Sequence, residues 1–366
     1  MLKKAKKLAK YLLAITWVRK THEGVARGIL EVFAANRLLT ALYSIPGFVT
    51  FNREQYAVLR GRRNYYRNLK KKRTSHVELR RNTHMLEKGI TMRPRRPVFA
   101  KEYIVETVEF YEHAVHQYCQ KKDSLDESEL AWSHSVLSEY FYIVPQGNDE
   151  AVDTARKRFA ATEKDYNPEV VEMVPFERAV GEKSDVGYEE LLALAKQRRS
   201  VRWYKDKKVP RDLIDKALMV ACQSPTACNR LPYEFRVFDD PEIVKKVADI
   251  PFGAAGYSHQ IPTVIVVVGK LSSYFSPRDR HIVYVDASLA SMSFMLSLET
   301  LGLSSSVINW PDFEPLEHKM QKTLHLGSDE RVIMLISVGY ADPKGMIPYS
   351  QKKDIEVLRR YNDLGA

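Results

Sequence analysis

From residue 187 to residue 340 helical stretches alternate with short β-branched runs, and this alternation confines the C-terminal half to α+β or α/β architectures. The pattern predicts helices over 187–199, 210–222, 241–248, 282–301 and 315–325, and strands over 233–238, 262–268, 304–309 and 331–338. An extended piece near 201–209 and a turn at 224–232 complete it. No internal repeat is visible.

The N-terminal half has another texture. Between Leu2 and Leu42 apolar residues at helical spacing (Leu8, Leu12, Leu13, Ile15, Trp17, then Ile29, Leu30, Val32, Phe33, Leu38, Leu39) predict two amphipathic helices. Residues 101–145 again read as helices, carried by Ile104, Val108, Tyr111 and Val115, then Leu130, Trp132, Val136, Leu137 and Tyr140. His113 and His116 each follow a glutamate by four residues, Glu109 and Glu112, which reads as surface Glu–His pairing and not as metal ligation. Residues 145–186 look like a weakly structured connector, and a domain boundary is placed near 185: a basic α-helical region over 1–185, a second domain over 186–366.

Charge is also unevenly placed along the chain. Residues 1–100 hold 24 Lys/Arg against 5 Asp/Glu, a balance of +19, whereas residues 101–366 carry 33 against 41, a balance of −8. The runs at 60–73 (RGRRNYYRNLKKKR) and 80–96 have three readings: a solvated helical face, a membrane surface bound by basic amphipathic helices, or nucleic acid. No RNP-like motif, zinc-finger spacing or recognition-helix signature supports the last, so nucleic acid is the weakest.

Other classes are excluded more directly. With 366 residues, 45% of them apolar and 28% charged, the chain has material for two folded domains. Cys119, Cys222 and Cys228 have no C-x-x-C spacing and cannot build a disulfide framework, which favours a reducing compartment. The longest charge-free stretch, Ile250–Gly269, is broken by Pro251, Gly253, Gly256, His259, Gln260 and Pro262, so no transmembrane helix is predicted. Lys3, Lys4, Lys6, Lys7 and Lys10 before Tyr11–Val18 imitate a secretory signal, but the apolar part is short and runs into Arg19 and Lys20 without a small-residue cleavage site. A cytoplasmic location is expected.

Two segments carry chemistry. Arg198-Arg199-Ser200-Val201-Arg202, at the end of a helix, gathers three guanidinium groups and a hydroxyl into an anion cradle. Ser224-Pro225-Thr226-Ala227-Cys228-Asn229-Arg230-Leu231-Pro232-Tyr233 makes a rigid loop poor in bulky side chains, on which a flat ring can lie; its residues also have ordinary turn chemistry. In order and spacing the two segments resemble the nitroreductase family of FMN-dependent oxidoreductases, whose signatures read R-R-S-x-R and S-P-S-x-x-N-x-Q-P-W. The likeness extends through the helix Asp286–Leu301, Gly302-Leu303, Ser304–Trp310, Arg331–Tyr340 and the tail Ser350–Glu356, and covers about residues 186–366.

The resemblance implies an α+β fold with a central, mostly antiparallel sheet flanked by helices, and a homodimer with FMN at its interface. It assigns Arg198, Ser200 and Arg199 to the FMN phosphate and Arg202 to the N1/O2 edge of the flavin. Pro225, Thr226 and Ala227 are expected to reach the isoalloxazine from the partner subunit, with Asn229 hydrogen-bonding the ring. Val307, Ile308 and Asn309 are expected to face N5, and Lys352 to close over the phosphate. Physical chemistry supports these roles, because a phosphate near charge −2 demands cations and donors, and a cation at N1/O2 stabilises the charge that builds there on reduction.

Since a flavin carries the chemistry, no catalytic acid/base dyad or metal is expected among the side chains. The expected reaction is ping-pong hydride transfer from NADH or NADPH, through FMN, to a small organic acceptor such as a nitro compound or quinone. The alternative is a flavin-binding scaffold whose basic helices, within residues 1–100, dock on the inner membrane surface or on a polymer-synthesis complex. Arg230, Leu231 and Tyr233 depart from the family pattern, and Phe252–Pro262 is short where relatives place a longer excursion, so substrate choice does not carry over.

Overall fold

The computed structural model describes residues 16–35, 37–44, 48–70, 76–120, 126–168 and 173–364. The chain divides into two compact units, residues 1–56 with 312–314, and 57–311 with 315–366. The first contains helices α1 (Thr16–Phe33) and α2 (Arg37–Ser44) and the beginning of α3 (Phe48–Lys70). The part of the predicted amphipathic pattern before Thr16 lies outside the described residues.

In the second unit four strands, β1 (Tyr233–Phe238), β2 (Thr263–Lys270), β3 (Ser304–Asn309) and β4 (Glu330–Gly339), form a sheet of order β1-β2-β4-β3 with every pair antiparallel. β2 shows why so apolar a run becomes a central strand. Side chains alternate across a strand, so Ile265 and Val267 join one core while Val264, Val266 and Val268 join the other. The first core is closed by α9 (Arg211–Ala221) and α11 (Ile282–Thr300), the second by α10 (Pro241–Ala248) and α12 (Glu314–Leu324). Each fully buried valine or isoleucine contributes roughly 1.5–3 kcal/mol, so the two-sided burial of β2 anchors the domain. A bulge opposite Val267 and Val268 leaves Ile333 as the extra residue of β4. The architecture is α+β, as the resemblance implies.

Helices α4 (Val77–Ile90), α5 (Ile104–Cys119), α6 (Glu127–Ile143) and α7 (Glu150–Thr162) enclose a separate apolar cluster that includes Leu86, Val108, Tyr111, Leu137, Tyr140 and Phe159. Helix α7 corrects the expectation of a loose connector over 145–186. Asp149 caps it, its carboxylate accepting from the Ala151 and Val152 amides at 3.0 and 3.3 Å, and Val152, Ala155 and Phe159 are buried. Glu109 and Glu112 both hold Arg158 of α7, at 2.7 and 2.9 Å, and the His116 ring pairs with the Gln120 side chain. A guanidinium offers a fork that two carboxylates can share. The compact units divide between Tyr56 and Ala57, and Ala57 already joins the sheet-domain core, so residues on both sides of 185 belong to one unit.

The basic run at 60–73 is structural where it is described. Ala57 joins the core beneath the sheet, Gly61 approaches Leu271 so closely that a Cβ would lie 2.8 Å from its backbone, and Arg62 donates to the Phe275 carbonyl at 3.0 Å. Among the described residues one helical stretch, Pro277–Thr300, is long and apolar enough to cross a membrane; half of it is buried in this core.

Candidate functional site

The residues expected to hold a phosphate follow the end of helix α8 (Tyr188–Gln197). The chain turns extended at Arg198, and Ser200 pairs with Ser305 of β3 in an isolated parallel bridge, the Val201 amide donating to the Ser305 carbonyl at 3.0 Å. Tyr204 fixes this piece from below. Its hydroxyl lies 2.7 Å from the Val201 carbonyl and 2.8 Å from the Ser337 hydroxyl, and burial pushes its pKa well up. Gly339 makes room for that ring, since a Cβ there would lie 2.7 Å from it. Gln260 completes the support, accepting from the Tyr204 amide at 2.8 Å and donating to the Arg202 carbonyl.

The C-terminal tail arrives at the same corner. Arg199 donates to the carbonyls of Pro348, at 2.6 Å, and Tyr349. Three residues of chain span at most about 11 Å, which sets the reach to the exposed Lys352. Arg199 thus holds the tail, while Arg198 and Ser200 stand at the turn. Among the described residues no carboxylate lies within ion-pair distance of Arg198, Arg202 or Lys352. Glu299, at the end of α11, is in electrostatic reach of Arg198; its pKa is raised by burial against the opposing pull of the Gln197 amide and Arg198. Among the described residues this cationic corner has no ion-paired carboxylate, which suits a dianionic phosphate. Arg202 extends it, its guanidinium 5.9 Å from the Tyr257 ring centroid.

On β3 the period-two alternation separates the three expected residues. Val307 and Asn309 are exposed, while Ile308 is 1% exposed and belongs to the core, leaving its backbone as the part a ligand could meet. The loop expected under the flavin ring lies elsewhere. Ser224 holds the Ser293 hydroxyl at 2.8 Å, and the Ala227 amide donates to Asp286 at 3.1 Å, so the loop is tied to α11 near its start. Pro225 is exposed, Thr226, Ala227 and Asn229 are half-buried, and the Asn229 side chain has no hydrogen-bond partner among the described residues. Sequence reasoning missed Asp286 and Glu299 as parts of the site; each is a lone acid in an apolar helix, which was the available signal.

Within one chain the two clusters stand far apart. Asp286, beneath the ring loop, and Glu299, beside the phosphate cradle, are 13 residues apart on α11, about 20 Å at the helical rise. Between them α11 exposes Leu289 and Met292, and Val285, just before Asp286, extends the same apolar stripe.

Residues 195–260 and 252–340 match the Nitroreductase family. A protein of Methanothermobacter thermautotrophicus, provisionally named NADH dehydrogenase/NAD(P)H nitroreductase, is 33% identical over 155 residues, which are 41% of this chain and 77% of that protein. A protein of the same provisional name from Archaeoglobus fulgidus is 30% identical over 178 residues, 48% of this chain and 94% of its own length. A solved FMN-dependent nitroreductase from Clostridium difficile shares 25% identity, with a TM-score of 0.41 over 47% of this chain and 99% of that one.

Proposed function

The chain belongs to the nitroreductase family and is an oxidoreductase; from that premise we propose that it binds FMN between two copies of itself and uses it to pass electrons from NADH or NADPH to a small organic acceptor. Bound FMN would supply the redox chemistry, accepting a hydride at N5 and giving it up to the acceptor that replaces the nicotinamide. The observation that supports the reading is the turn at Arg198–Ser200, where among the described residues Arg198 has no ion-paired carboxylate and Arg199 ties the C-terminal tail that carries Lys352 to the same place. Arg198 and the Ser200 hydroxyl would hold the phosphate, and Lys352 would close over it. Arg202 would stabilise charge at the N1/O2 edge. Asn229 would offer its unengaged amide to the ring, and Val307 and Asn309 would bound the face at which substrates enter.

The separation of the clusters supports a homodimer. A two-fold pairing of α11 about its apolar stripe would bring the phosphate cradle of one copy to the ring loop of the other, so each site would need both chains. Purified protein should therefore be yellow and should bleach on anaerobic addition of NADH or NADPH. A colourless protein that takes up no added FMN would refute this function.

A second reading concerns residues 1–56. Helix α1 exposes Trp17, Val25, Ile29 and Val32 along one side, and α2 exposes Leu38 and Leu42. With a balance of +19 over residues 1–100, such a face suits an anionic lipid surface, which would place the enzyme in the cytoplasm against the inner membrane. Trp17 fluorescence should shift to the blue with vesicles containing anionic lipid and stay unchanged with zwitterionic ones. Equal responses to both would remove the electrostatic part of this reading, and no response to either would remove it entirely.

A further inference from the structure

The ring loop holds a conformation that its own residues disfavour. Cys228, Asn229 and Leu231 lie in the left-handed region, at φ of 54°, 51° and 44°, and none is glycine. Such residues cost roughly 1–3 kcal/mol each and persist where their surroundings over-determine them. Two straps are internal: the Asn229 amide donates to the Thr226 carbonyl at 3.0 Å, and the Leu231 amide to the Thr226 hydroxyl at 3.2 Å.

Two more straps come from buried charges, and both grip one residue. The Ala227 amide donates to the Asp286 carboxylate at 3.1 Å, and the Ala227 carbonyl accepts from the Arg230 guanidinium at 3.2 Å. Tyr274 closes the circuit. Its hydroxyl lies 3.5 Å from the same Asp286 oxygen, and its ring centroid lies 5.4 Å from the Arg230 guanidinium carbon. Asp286, Arg230 and Tyr274 are only 4%, 7% and 2% exposed. Burying unlike charges costs several kcal/mol per ion, and apolar residues of the same volume would pack there as well, so simple filling does not account for them. On its outer side the turn at Ala227–Asn229 packs against α4, which seats it between that helix and α11.

We propose that Asp286, Arg230 and Tyr274 form a charged clamp on the Ala227 peptide, which fixes the height and tilt of Pro225–Asn229 against the flavin ring and makes the three positioning residues for electron transfer. This rests on the FMN reading of the preceding subsection. The clamp replaces self-supporting turn residues: with no glycine to accept positive φ freely, the loop takes its shape from α11 and from the Tyr274 segment.

The test uses full-length Asp286→Ala, Arg230→Met and Arg230→Lys, with two readouts. In FMN-free protein, amide exchange over residues 225–231 should quicken at least tenfold in Asp286→Ala and Arg230→Met while exchange in β4 stays unchanged. Arg230→Lys, which keeps a charged donor, should stay within threefold of wild type. In FMN-loaded protein, the first two variants should shift the flavin midpoint potential and lower kcat more than they alter KM, with flavin content preserved. Wild-type exchange in the loop of both variants would overturn the clamp, as would altered exchange with an unmoved potential. If Asp286→Ala fails to fold, the Arg230→Met and Arg230→Lys pair decides alone. If wild-type protein binds no FMN, the functional reading falls, and the exchange measurement still judges the clamp.

Discussion

Arg198 and Arg202 carry the same charge four residues apart, yet their surroundings predict different losses. Arg198 stands at the cradle with Glu299 as its electrostatic neighbour, so Arg198→Ala should weaken FMN binding about 10- to 100-fold, the value of a charge-assisted hydrogen bond. Arg202→Ala should lower the midpoint potential while leaving occupancy within a few-fold, because the charge it opposes grows on reduction. Fluorescence titration and potentiometry separate the two; unchanged values in both variants would void the assignment. Glu299 adds a pH dependence. Burial raises its pKa in the folded chain, so its contribution to stability is complete below the unfolded carboxylate value near 4 and is lost as pH rises through the folded value. Glu299→Gln should therefore gain stability over wild type as pH increases, which urea titrations at several pH values would show; a constant difference would refute it. The cationic half of the proposed site was singled out from the sequence because motif spacing reports a cluster of charges suited to a phosphate. Asp286 and Arg230 were not read as a pair, since their meeting depends on how a loop folds back on a helix 56 residues later. Ile308 could have been excluded as a ligand side chain by alternation alone, because Val307 and Asn309 on either side point outward.

Elements follow the sequence closely where burial is two-sided. The predicted strands over 233–238 and 304–309 end where the observed ones do, and β2 extends two residues beyond its prediction to Lys270. The bulge at Ile333 left no trace in the pattern, because every neighbour on β4 is also apolar. Helix α7 was hidden by its acidic, proline-flanked context, although Asp149 followed by Val152, Ala155 and Phe159 gives a cap and a helical face. That face supplies a stability prediction. Phe159 contacts the rings of Tyr111, His134 and Phe141 at centroid distances of 5.2–5.5 Å, so Phe159→Ala should destabilise the protein by about 3–5 kcal/mol in equilibrium unfolding. Asp149→Ala should cost about 1 kcal/mol through the lost cap. Were residues 145–186 only a connector, both changes would be nearly neutral.

At the scale of the whole molecule, the charge asymmetry and the compact units do not share a boundary. Residues 57–70 belong to the basic quarter but pack on the sheet domain through Ala57, Gly61 and Arg62, and α4 covers the ring loop. Removing residues 1–56 should leave flavin content intact, whereas a fragment beginning at 187 should lose both solubility and flavin; a soluble, yellow 187–366 fragment would show the helical layer to be dispensable. The proposed dimer makes the final demand. Leu289 and Met292 of the apolar stripe lie between the two half-sites, so one charge placed there should act on both sites at once. Leu289 is 44% exposed in the single chain, so Leu289→Glu should fold normally while repelling its symmetry mate across an isologous contact. Sedimentation should find a monomer, and the same preparation should have lost its flavin, because a cradle without the opposite chain's loop holds only the phosphate end. A monomer that keeps FMN would mean that each chain completes its own site, and a dimer that survives the substitution would move the interface away from α11.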